Sequence, residues 1–343
     1  ALRPEKPAGG GAAVPEAEKP LTVALAVTET GDKAVAGDYF TALELGTALE
    51  ALGCRVRYLS RSEGPAHWYA PGADTDVLIA MLQHYDPSRI RGASPKLVTI
   101  AWARNWFDAW LDTAYLNDYT LVFASSESAC RYMVKRTTRP VYLFPIATNF
   151  DRFGSLKEQP ENPAEADRFR CDYSFTGNHF GQSREIEEEL DPSALPYRFR
   201  LFGKGWEGME AFAPYAQGHL PYQQIPLVYQ YSRIVIDDAT PSTKDLGAMN
   251  SRVYDALAAG CLVLTNNTRG AAETFQGLLP SFHDRESLKR QLATYLENDA
   301  LREETVQRLR AFVQAHHTYR LRAEALLEIL QDAQQACDTV NGH

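Results

Sequence analysis

The sequence predicts an α/β protein with two tandem domains, each built on an open, doubly wound parallel sheet. Short apolar segments alternate with helical segments from residue 21 onward, which is typical of parallel βαβ units. A polar stretch at 154–167, with Pro160 and Pro163, interrupts this alternation before it resumes. The chain has 343 residues, and single hydrophobic cores usually stop growing at about 250–300 residues. We therefore expect domains at 21–150 and 151–319, with a terminal helix at 320–336 packing back onto the first.

The first half of the chain contains six apolar runs that predict buried strands. A helical pattern at 39–52 follows the first run and ends at Gly53, where a C-cap glycine is expected. Trp102, Trp106 and Trp110 recur every four residues, and this spacing predicts an aromatic stripe on one helix that belongs to the core. The predicted strands are 21–27, 55–60, 76–81, 96–102, 120–124 and 140–144.

The second half repeats the pattern with four predicted strands and at least five predicted helices. Ligands of such sheets bind at the carboxyl ends of the strands, so we expect the binding and catalytic residues in the strand-to-helix loops. The predicted strands are 173–176, 197–202, 234–236 and 261–264, and the predicted helices are 183–190, 225–231, 252–259, 286–298 and 301–314.

The composition excludes several classes of function. The formal charge of −9 argues against a nucleic-acid partner but permits a small anionic ligand held by a few local cations. The five cysteines are odd in number and form no CxxC pair, so we expect neither a disulfide framework nor a zinc site.

The chain contains neither a signal-peptide pattern nor an apolar run long enough to span a membrane. We expect a cytoplasmic protein, and a peripheral position at the inner face of a bacterial membrane is left open. Residues 1–20 are rich in Pro, Ala, Gly and Glu and predict a flexible linker, which suggests an upstream module of the same polypeptide.

The segment 245–267 carries the strongest functional signal. Asn250 and Ser251 are good N-cap residues for a helix beginning near Arg252, and a helix N-terminus with an arginine attracts an anion. Asp255 lies in the first turns, where a carboxylate can accept hydrogen bonds from ribose hydroxyls, and Gly260 ends the helix. An ordinary capped crossover helix explains these residue types equally well.

The segment MNSRVYDALAAGCLVLTNN, at 249–267, resembles the signature region of GT-B glycosyltransferases. More narrowly, it is similar to the retaining, family-4-like group related to the spore-maturation protein CgeB. Further segments that fit in order are YSFTG at 173–177 with Arg184, LFGKGW at 201–206, the stretch 218–236, Glu273 with Phe275, and HTY followed by Arg322 at 317–322. The resemblance covers roughly residues 170–325 and implies two Rossmann-like domains that face a central cleft.

The resemblance also implies roles for residues of the second half. Gly177 and the helix start formed by Asn250, Ser251 and Arg252 would hold the diphosphate of a nucleotide sugar. Asp255 takes the place of a glutamate that binds the ribose in the family, and it is one methylene shorter. Arg184 and Lys204, with Arg252, would stabilise the leaving diphosphate. A solvated loop lysine explains Lys204 equally well, and a helix-surface arginine is the alternative for Arg184.

The first half yields weaker candidates, all in loops that follow predicted strands. His84 follows the run at 76–81 and is a candidate to contact the donor sugar or accept a proton. Arg104 and Asn105 follow the run that ends at Trp102 and are candidates to bind acceptor hydroxyls. Gly37 and Asp38 lie between the first strand and the first helix. Each of these is equally well explained as an ordinary loop residue.

We expect no metal requirement and no cofactor other than the nucleotide-diphosphate sugar, which is the donor substrate. The motif Asp74–Thr75–Asp76 precedes a strand instead of following one, unlike the DxD motif of metal-dependent transferases. Asp237 and Asp238 do follow a strand, but no second acidic cluster accompanies them in the sequence.

The sequence thus predicts a glycosyltransferase that moves a hexosyl or deoxyhexosyl group to a glycan or polysaccharide acceptor, with retention of configuration. Two alternatives remain open at this stage. One is a non-catalytic nucleotide-sugar or glycan-binding module of a larger glycan-assembly protein. The other is an unrelated two-domain enzyme such as a nucleotide-sugar epimerase, for which His179, His219 and His283 show no specific spacing.

Overall fold

The computed structural model describes residues 19–155, 163–181 and 183–341. Most of the predicted linker at 1–20 lies outside these residues. Among the described residues, ten strands form two separate sheets in which every neighbouring pair is parallel. The strands are β1 (Thr22–Val27), β2 (Arg55–Ser60), β3 (Val77–Ala80), β4 (Val98–Ala103), β5 (Leu121–Ala124), β6 (Val141–Leu143), β7 (Cys171–Thr176), β8 (Phe199–Phe202), β9 (Ser232–Asp237) and β10 (Leu262–Thr265).

The first sheet has the order β2-β1-β3-β4-β5-β6, and the second has the order β10-β9-β7-β8. Their central strands are almost entirely buried, which explains why they read as continuous apolar runs and not as alternating patterns. The strand order reverses beside β1 and beside β7. Such switch points open a crevice at the carboxyl ends of the strands. The predicted fold of two Rossmann-like domains is confirmed.

Fourteen α-helices lie within the described residues and cover the faces of the sheets. They are α1 (Gly37–Ala51), α2 (Pro65–Trp68), α3 (Phe107–Leu111), α4 (Glu127–Val134), α5 (Phe150–Phe153), α6 (Pro163–Phe169), α7 (Ile186–Glu189), α8 (Ile225–Tyr231), α9 (Pro241–Lys244), α10 (Ser251–Ala258), α11 (Thr268–Phe275), α12 (Arg285–Leu296), α13 (Asp299–His316) and α14 (Tyr319–Asn341).

The last helix crosses from the second sheet back to the first and packs against α1. Its inner face buries Tyr319, Ala323, Leu326 and Leu330. No helix among the residues of the three described ranges has the length and apolar character needed to cross a membrane.

Two sequence-based predictions are wrong. Trp102, Trp106 and Trp110 do not share a helix: Trp102 lies in β4, Trp106 has a left-handed backbone, and Trp110 lies in α3. The turn between β4 and α3 breaks the helical spacing and leaves Trp106 exposed. The helix predicted at 183–190 is only the single turn α7, and Arg184 and Glu185 before it form ion pairs with Asp238 and with Lys244 of α9.

The two domains also meet beside the cleft, through the helix that follows β5. Glu273 on α11 accepts hydrogen bonds from the backbone N–H and hydroxyl of Ser128, and it forms an ion pair with Arg131 at 3.1 Å. The Ser126 hydroxyl donates to the carbonyl of Leu246. These contacts tie α4 of the first domain to α11 and the loop before α10.

Candidate active site

A cavity of about 210 Å³ lies between the carboxyl edges of the two sheets. The α1 helix forms one wall and the start of α10, with the loops after β7 and β8, forms the other. Among the residues that line it are Gly37, Phe40, Thr41 and Glu44 from the first domain, and Gly177, Gly203, Tyr222, Ser251, Arg252 and Asp255 from the second.

The N-terminus of α10 points its first residues into this cavity. Asn250 occupies the N-cap position with an extended backbone, but its side chain does not cap the helix. Instead its Nδ2 donates to Asp237 Oδ1 at 2.9 Å. Ser251 is exposed and lines the cavity, whereas Asn250 is absent from the lining. The helix therefore begins in the cavity without a side-chain cap, which is an arrangement suited to an anion.

Arg252 is held in a fixed orientation beside this helix start. Its Nη1 pairs with Asp237 Oδ1 at 2.7 Å, and its Nε donates to the Thr176 carbonyl at 2.8 Å. Its Nη2 donates to the same carbonyl, and the guanidinium carbon lies 4.8 Å from the centre of the Phe175 ring. Because Asp237 is fully buried, the pair is shielded from solvent.

Arg184 lies near the same aromatic ring, its guanidinium carbon 5.0 Å from the ring centre. Its Nε pairs with Asp238 Oδ2 at 2.8 Å, and its Nη1 donates to the Asn178 carbonyl at 3.0 Å. Burial raises the pKa of Asp238, and the adjacent Arg184 charge opposes that shift. Each arginine therefore has its own carboxylate. Arg184 is not among the residues that line the cavity.

Two glycines let the loops after β7 and β8 approach each other at the cavity. The N–H of Gly177 donates to the Phe202 carbonyl at 2.9 Å, and its own carbonyl accepts from Trp206 Nε1 at 2.8 Å. Gly203 has a φ of 154°, and a side-chain carbon there would overlap the Gly177 carbonyl. Only glycine fits at this contact.

Asp255 lines the cavity from the second turn of α10, but it is buried and points its Oδ1 to Thr148, whose hydroxyl donates at 2.7 Å. Burial raises the pKa of Asp255 well above its usual range, and the Thr148 hydrogen bond only partly opposes this.

The opposite wall carries a second carboxylate, Glu44, which the sequence analysis did not single out. Its Oε2 accepts from Asn149 Nδ2 at 2.6 Å, and its Oε1 accepts from the Tyr222 hydroxyl at 3.1 Å and from Arg152 Nε. Phe40, one turn earlier on α1, stacks on Tyr222 with ring centres 4.2 Å apart. The α1 wall is thus assembled from both domains and the connection between them.

The remaining predicted residues lie outside this cavity. Lys204 lines a neighbouring cavity of about 530 Å³, which also contacts Lys33 and His219. His84 is exposed in the loop after β3, and its Nε2 lies 3.5 Å from Gln83 Nε2. Arg104 donates to the Met81 carbonyl at 2.9 Å, and burial lowers its pKa.

Asp74, Asp237 and Asp238, for which the sequence predicts no metal role, take part in ion pairs. Asp74 pairs with Arg57 at 2.7 Å, and Asp237 and Asp238 hold the two arginines. Among the described residues, Asp238 also lies with Glu185 and Glu189 in one cluster, with carboxylate oxygens within 4.8 Å of one another. Lys244 Nζ contacts Glu185 in that cluster.

Phe40, Thr41 and Glu44, which the sequence analysis missed, carry a periodic signal together with Gly37. Gly37, Phe40, Thr41 and Glu44 recur at helical spacing from the start of α1, so they share one face that begins at the carboxyl end of β1. A charged residue on a buried helical face was the available clue. The hydrogen-bond partners of Glu44 lie more than 100 residues away in the sequence, so no local pattern predicts them.

Residues 183–328, less than half of the chain, match the family model described as glycosyl transferase-like. The match contains Arg184, both arginine-paired aspartates and all of α10. No curated protein matches the chain in sequence.

Solved structures share the fold over nearly the whole chain. A glycosyltransferase from Rickettsia africae superposes with a TM-score of 0.63 at 15% identity, covering 91% of this chain and 98% of that one. A sucrose-phosphate synthase from Thermosynechococcus elongatus gives 0.63 at 12% identity, covering 92% and 100%. The Anabaena protein HepE, solved with UDP and glucose, gives 0.63 at 10% identity, covering 91% and 100%. The fold is that of the GT-B glycosyltransferases.

Proposed function

We propose that this protein is a glycosyltransferase that uses a nucleotide-diphosphate sugar as donor. The observation that carries the proposal is the position of Arg252, fixed at the uncapped start of α10 inside a cavity that both domains line. A helix N-terminus with an oriented guanidinium is a natural diphosphate site. The match of the second domain to a glycosyl transferase-like model supports the same reading.

In this proposal the nucleotide lies on the second domain and the acceptor approaches from the first. The diphosphate contacts Arg252, Ser251 and the backbone at Gly177, while Arg184 and Lys204 add positive charge from further out. Because negative charge grows on the diphosphate as the sugar leaves, cations held in place before the reaction favour the transition state.

We propose transfer with retention of configuration and without a covalent intermediate, as in the retaining group related to CgeB. The bond from the anomeric carbon to the diphosphate oxygen breaks, and the acceptor oxygen bonds to that carbon on the same face. The acceptor's proton passes to the departing diphosphate oxygen. The acceptor would be a glycan or polysaccharide, with residues 21–150 as the acceptor domain and 151–319 as the donor domain.

The test is a transfer assay with UDP-, GDP-, dTDP- and ADP-sugars and a panel of oligosaccharide acceptors. Release of a nucleoside diphosphate together with an acceptor heavier by one sugar is expected for one donor class. The anomeric configuration of the product, read by NMR, should match that of the donor. An inverted product would reject the retaining mechanism but leave the transferase intact.

A non-catalytic binding module is the second candidate, and one observation favours it. Both arginines already have buried carboxylate partners, which reduces the net positive charge that they offer to a leaving group. Nucleoside diphosphate binding without any sugar transfer, across the same donors and acceptors, would support this reading.

A further inference from the structure

Trp106 occupies a position at which three local rules of protein structure disfavour tryptophan. Its backbone has a φ of 51°, in the left-handed region that bulky residues rarely adopt. It is the N-cap residue of α3 but makes no side-chain cap hydrogen bond, although short polar residues are preferred there. It is also 47% exposed, whereas Trp102 and Trp110 are buried. An asparagine meets all three conditions better, so local conformation and packing do not account for the tryptophan.

The residues on either side of Trp106 fix this unusual conformation. The Arg104 carbonyl accepts from the Ser125 hydroxyl at 2.8 Å, and Arg104 Nη2 donates to the Met81 carbonyl at 2.9 Å. On the other side, Phe107 is buried in the core. Because both flanks are anchored, the chain turns at Trp106 and leaves its side chain partly in solvent. Strained backbone of this kind clusters at functional sites.

The turn that holds Trp106 lies at the edge of the first sheet that faces the second domain. It follows β4, and the loops after the neighbouring strands β3 and β5 contribute Met81 and Ser125 to it. The next residue of the β5 loop, Ser126, donates to the carbonyl of Leu246 in the second domain. Trp106 therefore lies at the carboxyl edge on which the candidate cavity opens, beside a contact between the domains.

Trp106 stands apart from the cavity itself. It is not among the residues that line the cavity, which on this domain include Gly37 at the start of the helix after β1. Because β3 separates β1 from β4, the carboxyl ends of β1 and β4 are about 10 Å apart at the usual strand spacing. This separation exceeds the width of one sugar ring, and a glycan of two or more units spans it.

The indole ring of Trp106 has the chemistry to bind a sugar. One face of a pyranose ring presents mainly C–H groups, which pack against an aromatic ring, and the indole N–H can donate to a sugar hydroxyl. A tryptophan side chain also loses little conformational freedom on binding, because it has only two side-chain torsions.

We propose that Trp106 is the binding platform for a sugar unit of the acceptor that lies at least one unit away from the reacting hydroxyl. The acceptor is then an oligosaccharide or polysaccharide of two or more units, and not a single sugar. This inference rests on the proposed function and names the acceptor class together with a residue that selects it.

The test measures transfer to the oligosaccharide that gives product in the transfer assay, and to its shorter homologues down to the methyl glycoside of the terminal sugar. The wild type should have a KM for the longer acceptor about tenfold below that for the methyl glycoside. Trp106→Asn should raise the KM for the longer acceptor to near the value for the methyl glycoside. The kcat should not change, because stacking on a distant unit is equal before and during the reaction. Trp106→Phe keeps a ring and should retain most of the preference.

Thermal unfolding separates a binding role from a packing role. Trp106→Asn should have a Tm no lower than that of the wild type, because asparagine adopts a left-handed backbone more readily. A lower Tm together with a reduced kcat for all acceptors would assign Trp106 a packing role and overturn the inference. Val134→Ala is the matched control: Val134 is 58% exposed at the last residue of α4, and its loss should leave the KM for every acceptor unchanged.

Two further outcomes would reject this inference and leave the proposed function intact. One is an equal KM for short and long acceptors in the wild type. The other is the same length preference in Trp106→Asn as in the wild type. Absence of transfer from any donor to any acceptor would reject the proposed function, and this inference with it.

Discussion

The two walls of the cavity are built in different ways. Both arginines near the start of α10 are fixed within one domain: Asp237, Asp238 and the Thr176 carbonyl hold them at the edge of a single sheet. Asp255 on the same wall differs, since it accepts from Thr148 of the first domain. The α1 wall depends on three segments, because Glu44 is held by Asn149 and Arg152 of the connection and by Tyr222 of the second domain. The two arginines are therefore held by their own sheet, whereas the full set of Glu44 contacts forms only when the two domains are together.

This difference separates the effects that substitutions should have. In the proposed site, a change in the α10 wall removes diphosphate contacts directly. A change in the α1 wall alters the joint between the domains.

The largest effect is expected from Arg252→Ala. Loss of one oriented donor to a developing negative charge should lower turnover about a hundredfold or more. It also leaves Asp237 buried and unpaired, which costs stability of about 3–5 kcal/mol. Turnover should be measured on protein shown to be folded by circular dichroism, with the milder Arg252→Lys variant alongside.

Arg310→Ala is the matched control for that variant. Arg310 lies on α13 near the C-terminal end of α10 and donates to the carbonyls of Ala258 and Gly154 at 2.8 and 3.0 Å. It does not line the cavity, so it should lose stability but retain turnover when folded. Equal losses of turnover in both variants would show that Arg252 acts only through stability.

The next effect is expected from Gly203→Ala, which tests how closely the α10 wall is packed. The added carbon meets the Gly177 carbonyl at a φ that other residues rarely adopt, so the free energy of unfolding should fall by about 1–3 kcal/mol. Denaturant unfolding measures this. Gly208→Ala is the control, since its added carbon would meet open space; similar losses in both variants would contradict the close contact.

A smaller effect is expected from pH at the joint between the walls, where the His317 carbonyl accepts from the Thr148 N–H at 3.1 Å. Burial, and then the Arg322 charge, lower the pKa of His317 from 6.5 to about 3. The folded state therefore binds fewer protons than the unfolded state. The contribution of His317 to the free energy of unfolding is therefore fully present above about pH 6.5 and is lost progressively as the pH falls towards 3.

His317→Gln should remove that part of the pH dependence. Urea unfolding at several pH values between 7 and about 4 measures it, since the wild type should lose more stability on acidification than the variant. Parallel pH profiles for the two proteins would contradict a neutral His317 in the folded state.

Several strands could be predicted because their residues are buried on both faces. The segments 21–27 and 261–264 differ from the observed β1 and β10 by at most one residue at either end. Trp106 shows the limit of such patterns. Its spacing from Trp102 and Trp110 matches a helix, yet the chain leaves a strand, turns through a left-handed residue and only then becomes helical.

The site was predictable to a different degree on each wall. Arg252 and Ser251 stand beside a helix start that local capping rules and the family resemblance both indicate. Glu44 can be recognised as a residue of the cavity wall only from the folded structure, which places residues 149, 152 and 222 around it. The raised pKa of Asp255 likewise follows from tertiary burial, which no local pattern contains.

The most direct test of nucleotide binding in this cavity is a thermal-unfolding screen of the wild type against UDP, GDP, dTDP, CMP and ADP. A ligand at a hundredfold excess over its Kd stabilises the folded state by about 2.7 kcal/mol. We predict a clear rise in Tm with one of these nucleotides, which is absent in Arg252→Ala relative to its own Tm and preserved in Arg310→Ala. No rise with any nucleotide, or an equal rise in Arg252→Ala, would contradict a nucleotide site at α10.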